Sequence, residues 1–593
     1  MNALSNSSGR GRPPRLAAGL RAAWRDGYGM ADLRHDVMAG LTIGTVAVPL
    51  SMALAITTGV APQHGLYTAI VAGVLIALTG GSRFNVSGPT AAFVVILFPI
   101  VQQYGLGGLL IATMMAGLIL VAMGVARLGA LIQFIPYPVV LGFTSGIAVV
   151  IAVLQVPDFL GLQTGGLGEH FVDNVIVIAR SLPTLQPAEL GVGVFCLVLM
   201  LLWPRLGTPI PAPLAGLAAG ALVAALANQW LGDGPGPLIE TIASRFSWSI
   251  NGQTGTGIPP IAPSFVLPWR LPGPDGTPLV VNFDLIRALV GPAIAIAMLG
   301  AIESLLCAVI ADGLTRTRHD PNSELIGQGL GNLVAPLFGG ITATAAIART
   351  ATNVRSGARS PIAAIVHSLV VLLAVVALAG LLGQVPMAAL AALLFVVAWN
   401  MSEARHFRHI LRSAPAGDAA ILVICFGLTV LFDMVLAVGV GVGLAAALFI
   451  RRMSLLTTTD AATADHHPTI RDLPGEVAVY DVNGPLFFGA AEKALTSLHV
   501  VDPNVRIIIL DMHDVPSMDG TAIFALQSLI EQMNQQGVGL ILAGMRTRMI
   551  VKLRRAGVRK RTRWLTYCPD LEHAGRISRR WCAERAAALS EPA

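Results

Sequence analysis

Runs of about 17 to 25 mostly apolar residues recur along this chain, each long enough for an α-helix to cross roughly 30 Å of hydrocarbon. Soluble and β-barrel folds have little standing against that pattern. Composition agrees: 54% of residues are hydrophobic and 12% charged, mean hydropathy is +0.71, and the charges gather in loops and at the two ends. The fold class this implies is a polytopic α-helical membrane protein.

Between turn signals the apolar runs lie near 37–56, 62–79, 88–101, 107–126, 139–155, 188–203, 209–229, 286–311, 324–339, 344–354, 361–382, 386–400, 417–432 and 434–450, fourteen transmembrane segments in all. Arginine placement supplies an independent check, because short cytoplasmic connections carry the positive charge. With the N-terminus inside, the inner connections hold Arg83, Arg127, Arg205, Arg316, Arg318, Arg355, Arg359, Arg405, Arg408, Arg412, Arg451 and Arg452. The short outer connections hold none, and Arg180, Arg245 and Arg270 fall in longer outer segments. Both termini are therefore expected in the cytoplasm. Residues 1–35 read as a basic cytoplasmic tail with no cleavable signal pattern.

Two runs, 88–101 and 344–354, are too short to cross, and each follows a Gly-rich or polar lead-in. Both contain Thr-Ala-Ala, at Thr90-Ala91-Ala92 and Thr344-Ala345-Ala346, and this spacing predicts that each triplet opens a helix. They are third and tenth in order, matching places in two sets of seven. An odd number of spans inverts the second set, so the chain reads as a 7+7 inverted repeat. Interrupted segments at matching positions of such repeats point to a transporter's midplane site.

A half-helix that begins mid-membrane aims unsatisfied N–H groups and the positive end of its dipole into that site. Small residues at the two tips, Ser87, Gly88, Thr90 and Ala91 in one and Thr342, Ala343, Thr344 and Ala345 in the other, would let an anion approach the backbone. The same residues would also suit tight helix packing. Arg349 lies inside the second short run, where a guanidinium faces a cavity or an acidic partner and would favour a divalent anion.

Glu303 sits in GAIESLLCAVIADG, inside the eighth span. A bare carboxylate there is expensive, so it is either protonated or balanced by a cation, which makes it the candidate proton-coupling residue. A structural hydrogen-bonding role is the alternative. Cys307 follows four residues later on the same helical face, and thiols are poor ligands for hard cations, so a proton is favoured over sodium. Glu324 reads as an N-terminal cap residue. The five cysteines form no CxxC pair, so no metal site or disulfide framework is expected, nor is any cofactor.

The motifs SRFNVSGPTAA, GFTSGIA, ESLLCAV, NSELIGQGLGN and ITATAAIARTATNVRSGARSP resemble the SulP anion transporters, relatives of the vertebrate solute carrier 26 exchangers. Within that family, GAIESLLCAVIADG, GGITATAAIART and VAWNMSEA are most similar to members that carry dicarboxylic acids. The resemblance implies a core and a gate domain, a homodimer, and elevator-like alternating access. It places the anion between the two half-helices with help from the first span, Val48, Pro49 and Ser51, and gives Glu303 the coupling position. It further implies proton-linked uptake of succinate, fumarate, malate and aspartate across a bacterial inner membrane. Sulfate, bicarbonate or chloride exchange is the alternative within the family.

The transmembrane domain is expected over 36–453, a polar linker over 454–468 and a cytoplasmic α/β domain over 469–593. Strand-like EVAVYDVNGPLFF, the buried RIIILDMHDV and the helical MDGTAIFALQSLIEQMNQQG resemble a STAS domain. In related antagonists the loop before this helix carries a phosphorylated serine; here Gly520 replaces it, leaving Thr521 as the candidate. Nine basic residues from Arg546 to Arg563 would attract an anionic leaflet or form a solvated face, and the family permits an acyl carrier protein as partner. Expected partners are thus a small anionic substrate and membrane lipid, with no nucleic acid required. A membrane-tethered sensor signalling through the STAS domain is the competing class. No metal cluster, nucleophile triad or phosphate loop supports an enzyme.

Overall fold

The computed structural model describes residues 16–132, 135–168, 170–208, 210–230, 236–250, 252–271, 273, 277, 279–432, 434–455, 457–462, 471–487 and 504–590. The chain divides into two compact units, Met1–Val442 and Gly443–Ala593.

The first unit is helical. Its helices are α1 (Ala18–Arg25), α2 (Met30–Thr57), α3 (Pro62–Thr79), α4 (Ala91–Val125), α5 (Gly129–Ile132), α6 (Tyr137–Leu160), α7 (Phe171–Ser181), α8 (Pro187–Leu202), α9 (Ala212–Trp230), α10 (Ile242–Arg245), α11 (Phe283–Thr315), α12 (Pro321–Val334), α13 (Ile347–Arg355), α14 (Ile362–Gly383), α15 (Met387–Met401), α16 (Ala404–Ser413) and α17 (Ala416–Leu431), with α18 (Met434–Leu455) running on into the second unit. Among the described residues ten helices are long and apolar enough to cross a membrane, and Ala416–Leu431 is a shorter apolar helix. The apolar runs read from the sequence fall mainly on helical segments, with 88–101 and 344–354 beginning in short extended stretches. Their starts follow local rules: proline at the first turn of α3, α8 and α12, where its missing N–H costs nothing, and side-chain caps from Asn282 on α11 and Asp320 on α12.

Packing sorts these helices into two bundles. The first joins α2, α3, α4, α11, α12, α13 and α14; the second joins α6, α8, α9, α15 and α17. The first is dense because small residues let backbones touch. A Cβ on Gly117 of α4 would lie 2.8 Å from the Gly329 carbonyl of α12, so neither position tolerates a side chain without separating the helices. A break at Gly105 (φ 65°, ψ −172°) divides α4 into a short helix and a longer one, as the two separate runs at 88–101 and 107–126 required.

The helices α1, α5, α7, α10 and α16 answer to no span in the sequence reading. The first lies within the expected tail and ties to the end of α3 through Ala17 N–H to Thr79 O (2.9 Å) and Gly19 N–H to Gly80 O (3.2 Å). The first fifteen residues of that tail lie outside the described residues.

The second unit holds a five-stranded sheet ordered β5 (Thr458–Ala461), β6 (Val477–Asn483), β7 (Ile507–Asp511), β8 (Gly539–Ala543) and β9 (Leu565–Tyr567), numbered after the short strands β1 to β4 of the first unit. Strand β5 is antiparallel to β6 and the remaining pairs are parallel. Helices α19 (Gly520–Gln535), α20 (Thr547–Arg555) and α21 (Leu571–Ser590) cover it. Ile508, Leu510, Leu540 and Leu542 pack with Leu526, Leu529 and Leu553 of α19 and α20 on one face, while Ile507, Ile509 and Ile541 meet Trp581 of α21 on the other. That two-sided burial explains why β7 reads as an unbroken apolar run. The expected linker is corrected here: α18 extends to Leu455, and Thr458–Ala461 pairs with β6 as an edge strand. Its remainder from 463, and the expected helix over 489–495, lie outside the described residues, and of the expected second strand the described residues hold an isolated bridge, Leu486 to Met518.

Candidate functional site

Strands β1 (Ser87–Gly88) and β4 (Thr344–Ala345) pair antiparallel, Ser87 opposite Ala345 and Gly88 opposite Thr344. Each strand feeds a half-helix, so α4 and α13 begin at the centre of the first bundle from opposite directions. The caps differ by two residues of the shared triplet: its first residue, Thr90, precedes α4, whereas its third, Ala346, precedes α13. The expectation that Thr344 opens the second helix is therefore corrected. The pairing register sets Gly88, not Thr90, opposite Thr344, so the two Thr-Ala-Ala triplets do not occupy equivalent places. Neither helix start carries a side-chain cap, which leaves its first-turn N–H groups without a side-chain acceptor.

Pro89, Thr90, Ala91 and Ala92 from the first half-helix, Ala346 to Arg349 from the second, Leu50 and Leu54 of α2 and Glu303 of α11 line a cavity of about 270 Å³. The second bundle closes it with Thr144 of α6, Val397, Asn400 and Met401 of α15, and Glu403. Two half-helix starts, one cation and two carboxylates thus face one space, and the walls are otherwise largely apolar.

Arg349 is 3% exposed. Its Nη2 donates to the Pro89 carbonyl at 3.1 Å and to Ser51 Oγ at 3.4 Å, while Nε and Nη1 meet no acceptor in the protein. Two unanswered nitrogens, with three N–H donors between them, on a buried cation are costly unless something anionic takes them. Gly88 lies directly behind: a Cβ there would sit 2.5 Å from Nη1. Glycine at 88 is what lets the guanidinium pass. Glu303 accepts a 3.0 Å hydrogen bond from the Thr90 hydroxyl, tying α11 to the cap of α4.

Of the residues expected to bind an anion, Thr90, Ala91 and Arg349 line the cavity, as does Glu303. Ser51 and Gly88 act one step back, through Arg349. Val48 is buried in α2 and Ser87 accepts from Gln328 Nε2 at 3.0 Å. The four from Thr342 to Ala345 do not reach the space. Thr342 shares a 2.7 Å hydrogen bond with Thr113, Ala343 exchanges two with Asn332, Thr344 pairs with Ser304 at 2.7 Å, and Ala345 N–H goes to Ser304 Oγ. Their polar groups are committed to the wall, and Ala346, Ile347 and Ala348 stand where they were expected. Sequence reasoning missed Thr144, Asn400 and Glu403 altogether; the motif VAWNMSEA contains two of them but gives no sign of facing residue 349.

Glu324 is corrected as well. Asp320 caps α12, accepting from the N–H groups of Asn322 and Ser323, whereas the Glu324 carboxylate is buried. It accepts from Gly81 N–H (2.8 Å), Ser82 N–H (2.9 Å) and Asn85 Nδ2 (2.7 Å), and so holds the loop that leads into β1.

A family model described as the sulfate permease family matches residues 33–425, which include every residue of the cavity. The chain belongs to that family. A STAS domain model matches residues 467–573, so this sulfate permease carries a STAS domain at its C-terminal end. YvdB of Bacillus subtilis, provisionally named a sulfate transporter, is 39% identical over 90% of this chain and 95% of its own length. The bicarbonate transporter BicA of Picosynechococcus is 31% identical over 84% of this chain and 87% of its own. The transmembrane domain of a cyanobacterial BicA superposes with a TM-score of 0.57 at 26% identity, covering 71% of this chain and 98% of that one. Murine solute carrier 26 member A9 shares the fold over 97% of both chains, with a TM-score of 0.79 at 18% identity. Sulfate permeases of this kind are multi-pass membrane transporters, and YvdB and BicA carry sulfate and bicarbonate in their names.

Proposed function

We propose that this sulfate permease is a secondary transporter that takes up four-carbon dicarboxylates with protons. The observation that carries the reading is Arg349: a buried guanidinium with two unanswered nitrogens, in a cavity that Glu303 also lines. One cargo carboxylate meets the uncapped starts of α4 and α13, and the second charge meets Arg349. Glu303 carries the coupling proton, held by Thr90, and a proton serves better than sodium because Cys307, four residues on along the same face of α11, offers a thiol that suits no hard cation.

The first bundle acts as the core and the second as the gate, moving past one another by an elevator-like step. On the orientation read from the arginines, Glu403 marks the cytoplasmic mouth and both termini are cytoplasmic. A homodimer in a bacterial inner membrane is part of the same reading, and the basic stretch from Arg546 would receive an acyl carrier protein if one binds. The dicarboxylate cargo rests on the resemblance of the motifs to the bacterial transporter DauA. The names of the relatives favour a second reading with the same cavity, in which the cargo is sulfate or bicarbonate.

Uptake of labelled succinate into proteoliposomes at pH 5 and pH 7.5, with and without an inward proton gradient, tests this. Gradient-driven uptake blocked by fumarate and aspartate supports dicarboxylate symport. Flux of sulfate or bicarbonate without succinate flux sinks the cargo and keeps the anion site.

A further inference from the structure

We propose that a second crevice, between α11 and the segment leading into α6, binds an amphiphilic anion: a single alkyl chain with a charged head. This crevice has a volume of about 480 Å³ and shares no lining residue with the transport cavity. Ligand pockets run from about 300 to 1,000 Å³, so it is large enough for such a molecule.

Its walls are apolar. Ile302, Leu305, Leu306 and Val309 present one stripe of α11, at the spacing that keeps side chains on a single helix face, and Ile135 and Val140 stand opposite. At the end of that stripe the chemistry changes, for Asp312, Arg318 and His319 line the remaining edge.

These three do not simply neutralise one another. Asp312 Oδ2 accepts from His319 N–H at 3.0 Å and contacts His319 Nδ1 at 2.7 Å, while Oδ1 accepts from the Thr317 hydroxyl at 3.0 Å. The carboxylate is thus spent on fixing the imidazole. The ring is 5% exposed, and its other nitrogen, Nε2, is buried with no partner in the protein. An orphaned ring nitrogen in a crevice edge costs free energy that a ligand atom would recover. Arg318 supplies a full positive charge beside it. A charged oxygen at this end meets Arg318 and, on an imidazolium whose Nδ1–H is given to Asp312, Nε2–H, and the alkyl chain lies along the α11 stripe. A small hydrophilic anion would leave that stripe unfilled, and a neutral lipid would leave Arg318 and Nε2 unanswered.

Free fatty acid and monoacyl lipid phosphate share this chemistry. Because α11 belongs to the first bundle and α6 to the second, an occupant would also wedge the two and slow transport. That inhibitory part rests on the proposed transport reading; the binding does not.

The test uses the purified full chain in phosphatidylcholine nanodiscs, with labelled dodecanoate and labelled lysophosphatidate as probes, dodecanol as the neutral control, and empty discs subtracted. We expect saturable binding of one of the two anions, indifferent to excess succinate or sulfate. Arg318→Ala should weaken it about tenfold, as loss of one charge-assisted contact does. Leu306→Trp, which fills the crevice, should abolish it. The tighter of the two probes identifies the source of the ligand. Arg318 is exposed, so its replacement keeps the test valid should the tryptophan variant fail to fold. Binding no greater than to empty discs, dodecanol binding as well as the anions, or binding unmoved by Arg318→Ala and His319→Gln would each overturn the proposal. Failure of succinate or sulfate flux in the same preparation bears on the transport reading alone.

Discussion

The hydroxyl of Thr90 donates to Oε2 of Glu303 at 3.0 Å, so the residue that caps the first half-helix also holds the acidic side chain of α11. On the proposed transport reading, this one hydrogen bond would couple movement of cargo at the helix start to a change of proton at Glu303. Hydrogen bonds to charged groups contribute about 1.5 to 3 kcal/mol. Thr90→Val, which keeps the shape and removes the donor, should lower the rate of gradient-driven uptake by roughly tenfold or more. Thr90→Ser should restore it. Initial rates in proteoliposomes decide the matter, and equal rates for the wild type and the valine variant would remove the coupling.

Glu303→Gln keeps volume and hydrogen-bonding capacity but carries no titratable proton. Exchange of labelled for unlabelled cargo should continue, and accumulation driven by an inward proton gradient should disappear. Retained gradient-driven accumulation in this variant would assign the proton to another residue.

Gly88→Ala places a methyl 2.5 Å from Nη1 of Arg349, and the nearest backbone, at Ala69, leaves it little room to shift. The guanidinium has to give way. The expected result is an apparent affinity for anions weakened about tenfold, at a stability cost of about 1 to 3 kcal/mol from overpacking. Titration of cargo against uptake separates the two effects, since lost affinity raises the half-saturating concentration while misfolding lowers only the number of active sites.

Glu324 holds two backbone N–H groups and the Asn85 amide of the loop that enters β1. Replacing it by alanine leaves these buried donors without their acceptor, at about 1 to 3 kcal/mol for each unsatisfied group. Glu324→Ala should lower the thermal unfolding midpoint of the purified protein by several degrees, with Glu324→Gln intermediate. Unchanged midpoints would mean that the loop finds other acceptors.

In the STAS unit, Asp519 caps α19 by accepting from Ala522 N–H at 2.8 Å. Asp519→Ala should cost about 1 kcal/mol, read as faster amide exchange over the first turn of α19 with the protection of β7 and β8 little altered.

The apolar runs, the two interrupted segments and the isolated charges at Glu303 and Arg349 were all legible in the sequence, because a bilayer penalises polar groups so heavily that each exception stands out. The SulP resemblance and the STAS-like strands were legible for a comparable reason: turn residues and two-sided burial leave local marks. What the sequence alone could not determine was which side of each short motif faces the cavity. Thr342 to Ala345 look as suited to an anion as Thr90 does, yet Thr113, Asn332 and Ser304 claim their polar groups from helices up to 229 residues away in sequence. Glu324 resembles a cap because its distant partners, Gly81, Ser82 and Asn85, are invisible in its neighbourhood. Thr144, Asn400 and Glu403 become part of the site only because the second bundle closes over the first. Local pattern decides where helices start and which charges are anomalous; packing between remote segments decides which of those groups are already satisfied and which are left for a ligand.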